Sequence, residues 1–299
     1  MVTENIQNTT LTTPHGTIYI VHSGSKNGTP LLLIHGNSFC SSIWWPLLTS
    51  EKLCRNYHVI AFDLPGHGKS SNAPNPETSY TQPAYADAAL RVLASFDQHY
   101  SSSSSLSSSS ASTNAPAVVL GWSLGGHVAL EMLAAQPQVV LGAMLVGTPP
   151  VGPGEVERGF AFGGDARQAL AARDDLGEAE MDSFARNCAE APYEEWMGET
   201  VRRTDQRARK IMFDAFLEGK CADQRKVVAE SDALIAVVNG KEDPFIELEF
   251  INSLHYKRLW TGKCVELEGL KHAPFWAISN RESFIELLIK FIEDAKLPE

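Results

Sequence analysis

Three side chains spread along this chain could together perform acyl transfer: Ser123, Asp243 and His272. A serine hydroxyl is a weak nucleophile until a base takes its proton, and an imidazole serves as that base only when a third group fixes its tautomer. Ser123 stands in Gly121-Trp122-Ser123-Leu124-Gly125. That G-x-S-x-G spacing fits a nucleophile elbow, a turn so tight that the positions two away on either side must be nearly free of side chain.

Of the nine histidines, most fall where an imidazole has no reason to face a cleft. His15, His22, His58 and His99 lie in or beside such elements, His127 lies one turn into the helix behind Ser123, and His255 precedes the last predicted strand. His272 alone sits in the loop leaving that strand. For the acid, Asp243 is preferred over its neighbour Glu242 because Pro244 restricts the backbone of Asp243 to an extended form. No carboxylate occupies residues 147–150, the other strand end from which an acid could reach the histidine. The N–H groups of Asn37 and Leu124 are the candidate oxyanion donors: Asn37 follows the strand-ending His35-Gly36, and Leu124 follows the nucleophile.

The elements that must hold these groups are legible around them. Residues 17–22 alternate and are β-branched, an early antiparallel strand paired by a hairpin with the residues before His15-Gly16. Residues 31–34, 57–62, 118–120, 143–146, 234–238 and 264–267 read as further strands, several continuously apolar as strands covered on both faces should be. Helical periodicity runs over 85–96, after the elbow, and over about 283–294. Residues 151–232 carry no convincing buried strand, only amphipathic stretches such as 178–189, 193–203 and 206–217. Such an insertion predicts a helical cap over the carboxyl edge of the sheet, with 1–150 and 233–299 forming the core. The serine-rich segment 101–112 cannot build a packed face and is expected to be a flexible loop. Asp63 is expected to cap backbone donors in its own loop, with His67 bracing the region. Arg202, Arg203, Arg207, Arg209 and Lys210 are expected on a solvated helix face, paired with Glu199, Asp205 and Asp214.

Composition narrows the function. The chain has 299 residues, 43% of them hydrophobic, enough for one α/β core with an insertion. A formal net charge of −11 and a pI near 5.3 argue against nucleic acid and for a small neutral substrate. No apolar run reaches the roughly 18 residues that a membrane span needs. The polar first 14 residues lack a signal pattern, so the expected setting is cytoplasmic. Five scattered cysteines without C-x-x-C spacing suggest free thiols. No H-x-H-x-D-H cluster is present, so neither metal nor cofactor is expected.

The chain order Ser, Asp, His is the one associated with α/β-hydrolases, and the chain resembles a subfamily of them, the bacterial N-acyl-homoserine lactone lactonases that quench quorum signals. The resemblance rests on His35-Gly36-Asn37-Ser38, the run from Asp63 to Ser70, the run from Gly121 to His127, Gly147-Thr148-Pro149-Pro150, Arg203-Thr204-Asp205, Arg207-Ala208-Arg209, Val237-Val238-Asn239-Gly240 and His272-Ala273-Pro274-Phe275. It implies an α/β-hydrolase fold, a mostly parallel doubly wound sheet with a cap, and opening of a lactone ring through an acyl-enzyme. Phe184 stands where that subfamily holds a substrate-binding tyrosine, and Tyr193 is the candidate to compensate. Lys271 replaces the glycine usual before the histidine. Trp122, Phe39, Trp44 and Trp45 are candidate walls for an apolar acyl tail. The rival readings are a carboxylesterase or a hydrolase of another lactone and, from another class, a small-molecule receptor on the same scaffold.

Overall fold

The computed structural model describes residues 6–96, 116–161 and 170–297. The serine-rich segment 101–112 lies outside them. Eight strands form one sheet in the order β1-β2-β4-β3-β5-β6-β7-β8. They are β1 Gln7–Thr13, β2 Gly16–Gly24, β3 Thr29–Ile34, β4 Tyr57–Phe62, β5 Ala117–Trp122, β6 Val140–Val146, β7 Leu234–Gly240 and β8 Val265–Leu267. β1 and β2 pair antiparallel about His15-Gly16, as the hairpin pattern predicts, and β2 pairs antiparallel with β4. All other pairings are parallel.

Burial explains the sequence of the central strands. Every residue of β4 and β5 is buried, and β3 is buried from Pro30 onward, because helices cover both faces of a parallel sheet. The principal helices are α1 Gln82–Ala94, α2 Leu124–Ala135, α3 Glu178–Cys188, α4 Glu195–Arg203, α5 Gln206–Leu217, α6 Gln224–Glu230 and α7 Arg281–Ala295. Pro at the second position of α1, behind a Thr81 side chain that accepts from the Ala84 N–H, is a sound helix start. The sequence places that start at 85; the proline-tolerant first turn extends it by three residues.

β3 continues to β4 on one side, while β5 on its other side continues to β6. The strand order therefore reverses between β3 and β5, and the crevice at their carboxyl ends is where open α/β sheets bind ligands. Helices α3 to α6 fill the stretch between β6 and β7. They line the crevice with Phe184 of α3 and Met212, Phe213 and Phe216 of α5, and Arg209 of α5 donates to Ser38 Oγ at 3.0 Å; ahead of α3, the Ala171 carbonyl accepts from the Asn37 side-chain amide at 2.8 Å. Among the described residues no helix is long and apolar enough to cross a membrane.

Candidate active site

Ser123 occupies the turn between β5 and α2 with φ 54° and ψ −119°, a conformation that costs a non-glycine residue of order 1–3 kcal/mol. The surrounding packing holds it there. A Cβ on Gly121 would lie 2.2 Å from the Gly125 carbonyl oxygen, and one on Gly125 would lie 2.0 Å from that of Ile34. Only glycine admits this approach. The Ser123 N–H donates to Val146 O at 2.8 Å, and the Thr148 hydroxyl donates to Ser123 O at 2.9 Å, so the end of β6 clamps the elbow. Leu124 is the first residue of α2, where a helix leaves its N–H without an intrahelical acceptor.

His272 and Asp243 come from the loops after β8 and β7. Their side chains are 4% and 0% exposed, and His272 Nδ1 lies 2.7 Å from Asp243 Oδ2. An ionised carboxylate can only accept, so Nδ1 carries the proton and Nε2 keeps its lone pair. The other carboxylate oxygen of Asp243 accepts from the Phe245 N–H at 2.9 Å, which locks the acid across Pro244. Glu242, one residue earlier, is exposed. The imidazole lies against Gly147, whose φ is +61°; a Cβ there would sit 2.7 Å from His272 Cε1 and Nδ1 and 3.3 Å from Asp243 Oδ2. Asn239 holds that turn by accepting from the Gly147 N–H at 2.9 Å.

Two narrow cavities meet at Ser123. One, of about 30 Å³, brings Ser123 and His272 together with Asn37, Trp122, Phe184 and Phe245. The other, of about 40 Å³, runs from Ser123 and Leu124 past Phe160, Phe213 and Phe216 to Gln82 and His127. Larger hollows elsewhere on the surface contain none of these groups.

The structure distributes the expected wall residues unevenly. Trp122 and Phe184 face the first cavity. Trp44 does not line either: its ring stacks on Phe275 at 4.4 Å, fully buried in the core. Phe39 is likewise core, edge-on to Trp122 at 5.0 Å, and Trp45 points to solvent at 48% exposure. Tyr193 lies outside both cavities, donating to Asp182 at 3.2 Å beneath the Arg186 guanidinium. A short helical turn over residues 41–44 turns Trp44 inward, and nothing in local spacing signals that choice. Conversely, sequence reasoning places His127 behind the nucleophile and passes over Gln82, yet both line the second cavity. The i+4 spacing of His127 from Ser123 is the signal, since residues four apart share a helix face.

Loop polar groups behave as structural supports. Asp63 accepts from the Ser41 and Lys69 N–H groups at 2.7 and 2.6 Å. His35 Nε2 accepts from the Leu64 N–H at 2.9 Å. Burial lowers the pKa of His67, with its ring centroid 5.3 Å from that of His35, to about 3. The expected basic face holds for Arg207 and Lys210, paired with Asp205 and Asp214, whereas Arg202 pairs with Glu178 and Asp182 and not with Glu199. Arg209 departs from it altogether. It is fully buried, donating to Ser38 Oγ and to the Arg173 carbonyl, and burial lowers its pKa to about 10. Among the described residues no group of three or more His, Cys, Asp or Glu side chains is arranged to hold a metal.

A mostly parallel sheet with a serine on a strand-to-helix elbow at its switch point, and a histidine and an aspartate from later strand ends beside it, defines an α/β-hydrolase fold. The alpha/beta hydrolase family model matches residues 31–287, and the chain belongs to that family. It is 40% identical to the N-acyl homoserine lactonase AidH, solved in complex with N-butanoyl homoserine, with a TM-score of 0.87 over 98% of each chain. It is 27% identical over 286 residues, 91% of this chain and 97% of the other, to the pimeloyl-[acyl-carrier protein] methyl ester esterase of Xanthomonas campestris pv. campestris. The esterase RhEst1 from Rhodococcus sp. ECU1013, at 23% identity and a TM-score of 0.71, shares the fold.

Proposed function

We propose that this chain is a serine hydrolase of carboxylic esters whose substrates are N-acyl-homoserine lactones. The observation that carries the reading is the presence of strained Ser123 and Asp243-bound His272 on one cavity, in a chain 40% identical to AidH along 98% of its length. His272 Nε2 takes the Ser123 proton as Oγ attacks the lactone carbonyl. The Leu124 and Asn37 N–H groups receive the developing oxyanion, and Asp243 stabilises the imidazolium. His272 then protonates the ring alkoxide, which leaves but stays tethered to the acyl-enzyme, so water must outcompete ring closure. The imidazole stands on the Phe184 cavity, which therefore takes the leaving oxygen, and the acyl tail runs toward Phe213 and Phe216 beneath a helical cap spanning about 151–232.

The test is mass spectrometry of products after incubation with medium- and long-chain N-acyl-homoserine lactones. A gain of one water with the amide intact, undiminished by EDTA and lost in Ser123→Ala by several orders of magnitude, is the expected result. Free fatty acid plus homoserine lactone would make it an amidase. The pimeloyl ester esterase relatives favour a second reading, a carboxylesterase, for which ester turnover with untouched lactones would decide.

A further inference from the structure

The second cavity is walled by Leu124, Phe160, Ala171, Met212, Phe213 and Phe216, yet it ends on two polar side chains, Gln82 and His127. Both are buried, Gln82 completely, and an apolar tail would leave their polar groups unpaired. Their polarity is fixed from behind. Glu131, one turn beyond His127 on α2, accepts from the Ala222 N–H at 2.7 Å, and the Gln224 side chain lies beside it. Gln224 thus turns its nitrogen toward Glu131 and toward Gln82 Oε1, to which it donates at 2.9 Å. Its oxygen faces His127 Nδ1 at 2.7 Å. Nδ1 must then carry the proton, which leaves His127 Nε2 as an acceptor with no hydrogen-bond partner among the described residues. Gln82, its oxygen occupied, presents N–H groups whose nearest acceptor is the Met212 thioether at 3.9 Å, a weak one.

We propose that Gln82 and His127 form a subsite for a hydroxyl on the acyl chain, the Gln82 amide donating to it and His127 Nε2 accepting a hydrogen bond from it. A hydroxyl is the small group that both donates and accepts; a ketone satisfies Gln82 alone and a methylene satisfies neither. Depth sets the position. At 1.5 Å rise per residue His127 lies about 6 Å beyond Ser123 along α2, which an extended chain covers in about five bonds from the scissile carbonyl. In an N-acyl-homoserine lactone that is carbon 3 of the acyl group. The subsite rests on the lactonase reading only for the carrier of the hydroxyl.

The experiment compares kcat/KM for N-hexanoyl-, N-(3-oxohexanoyl)- and N-(3-hydroxyhexanoyl)-homoserine lactone, beside ethyl hexanoate and ethyl 6-hydroxyhexanoate, whose hydroxyl stands at the same depth. The 3-hydroxy substrate should lead the unsubstituted one roughly tenfold, with the ketone between them, because burying an unpaired polar group carries a penalty of that size. His127→Phe, which keeps a ring between Phe160 and Phe216, and Gln82→Met should each bring the ratio to within about twofold. A wild-type ratio near one, or a ratio that survives both substitutions, overturns the subsite. Should the lactones be untouched, a lead for the 6-hydroxy ester keeps the subsite and overturns the lactonase reading, whereas equal ester rates, or no turnover in either series, overturn both.

Discussion

The indole N–H of Trp122 donates to the carbonyl oxygen of His272 at 2.8 Å. The residue before the candidate nucleophile thus holds the backbone of the candidate base, and a single buried bond ties the elbow to the loop after β8. Trp122→Phe keeps an aromatic wall but removes that donor. Steady-state kinetics should show kcat down roughly tenfold with KM within about twofold, the pattern of lost alignment. An unchanged kcat would mean that packing against Phe275 positions the loop unaided.

Strain at the elbow makes a prediction about stability. Ser123→Gly and Ser123→Ala should both be inactive, but glycine tolerates a φ of 54° and alanine does not. Urea unfolding should find the glycine variant more stable than the alanine variant by about 1 kcal/mol. Equal midpoints would show that the turn relaxes when the hydroxyl is gone.

Arg209 is a buried cation that touches Ser38 Oγ and a carbonyl but, among the described residues, no carboxylate. Ser38 in turn donates to Asn37 Oδ1 at 3.1 Å, so the guanidinium anchors the loop of the proposed oxyanion donor. Replacing a buried ion by an apolar side chain is often neutral or stabilising. Arg209→Met should therefore hold or raise the melting temperature while kcat falls about tenfold. Loss of both together would mark Arg209 as a packing residue only.

Buried histidines set an acid limit. Burial lowers the pKa of His127 to about 4 and of His67 to about 3, and it lowers that of His35. The unfolded chain protonates these rings below about 6.5 while the folded chain does not, so their stabilisation is present above that pH and is lost as pH falls. Glu131 opposes this: burial raises its pKa to about 7, so between about 7 and 4.5 the fold gains as pH falls. His127 and His67 against one Glu131 leave a net loss, to which His35 adds. Between pH 6.5 and 4.5 the unfolding free energy should fall by at least about 1.4 kcal/mol per unit. Urea midpoints that stay level from pH 7 to 5 would contradict it.

How much of this was readable beforehand divides along a physical line. The strands around Ser123, Asp243 and His272 are written locally: apolar runs, a Gly-x-Ser-x-Gly turn, a proline after the acid. Fold class and the meeting of those three side chains followed from such patterns and from chain order. The cavity walls did not. Whether Trp44 or Phe245 faces the cavity at Ser123 depends on how a 3-10 turn and the helices before β7 pack, and helical periodicity names an apolar face without naming what it touches. Arg209 shows the same limit with charge, because a cation in an exposed-looking basic run was drawn inward by Ser38 and the Arg173 carbonyl. His127 differs for a simpler reason: one turn along a helix brings a side chain beside the nucleophile, on the same cavity, and not behind it.

Gly147, pressed against the His272 ring, has an evolutionary consequence. The end of β6 is a second place from which a carboxylate could reach the histidine, but any side chain at 147 would collide with the imidazole that such an acid would serve. A lineage that lost Asp243 could not regain an acid at 147 by a single substitution, since His272 would first have to move and in moving would leave Ser123. On the proposed mechanism the two solutions are separated by an inactive intermediate, and one missing methyl group keeps this chain on its side of the divide.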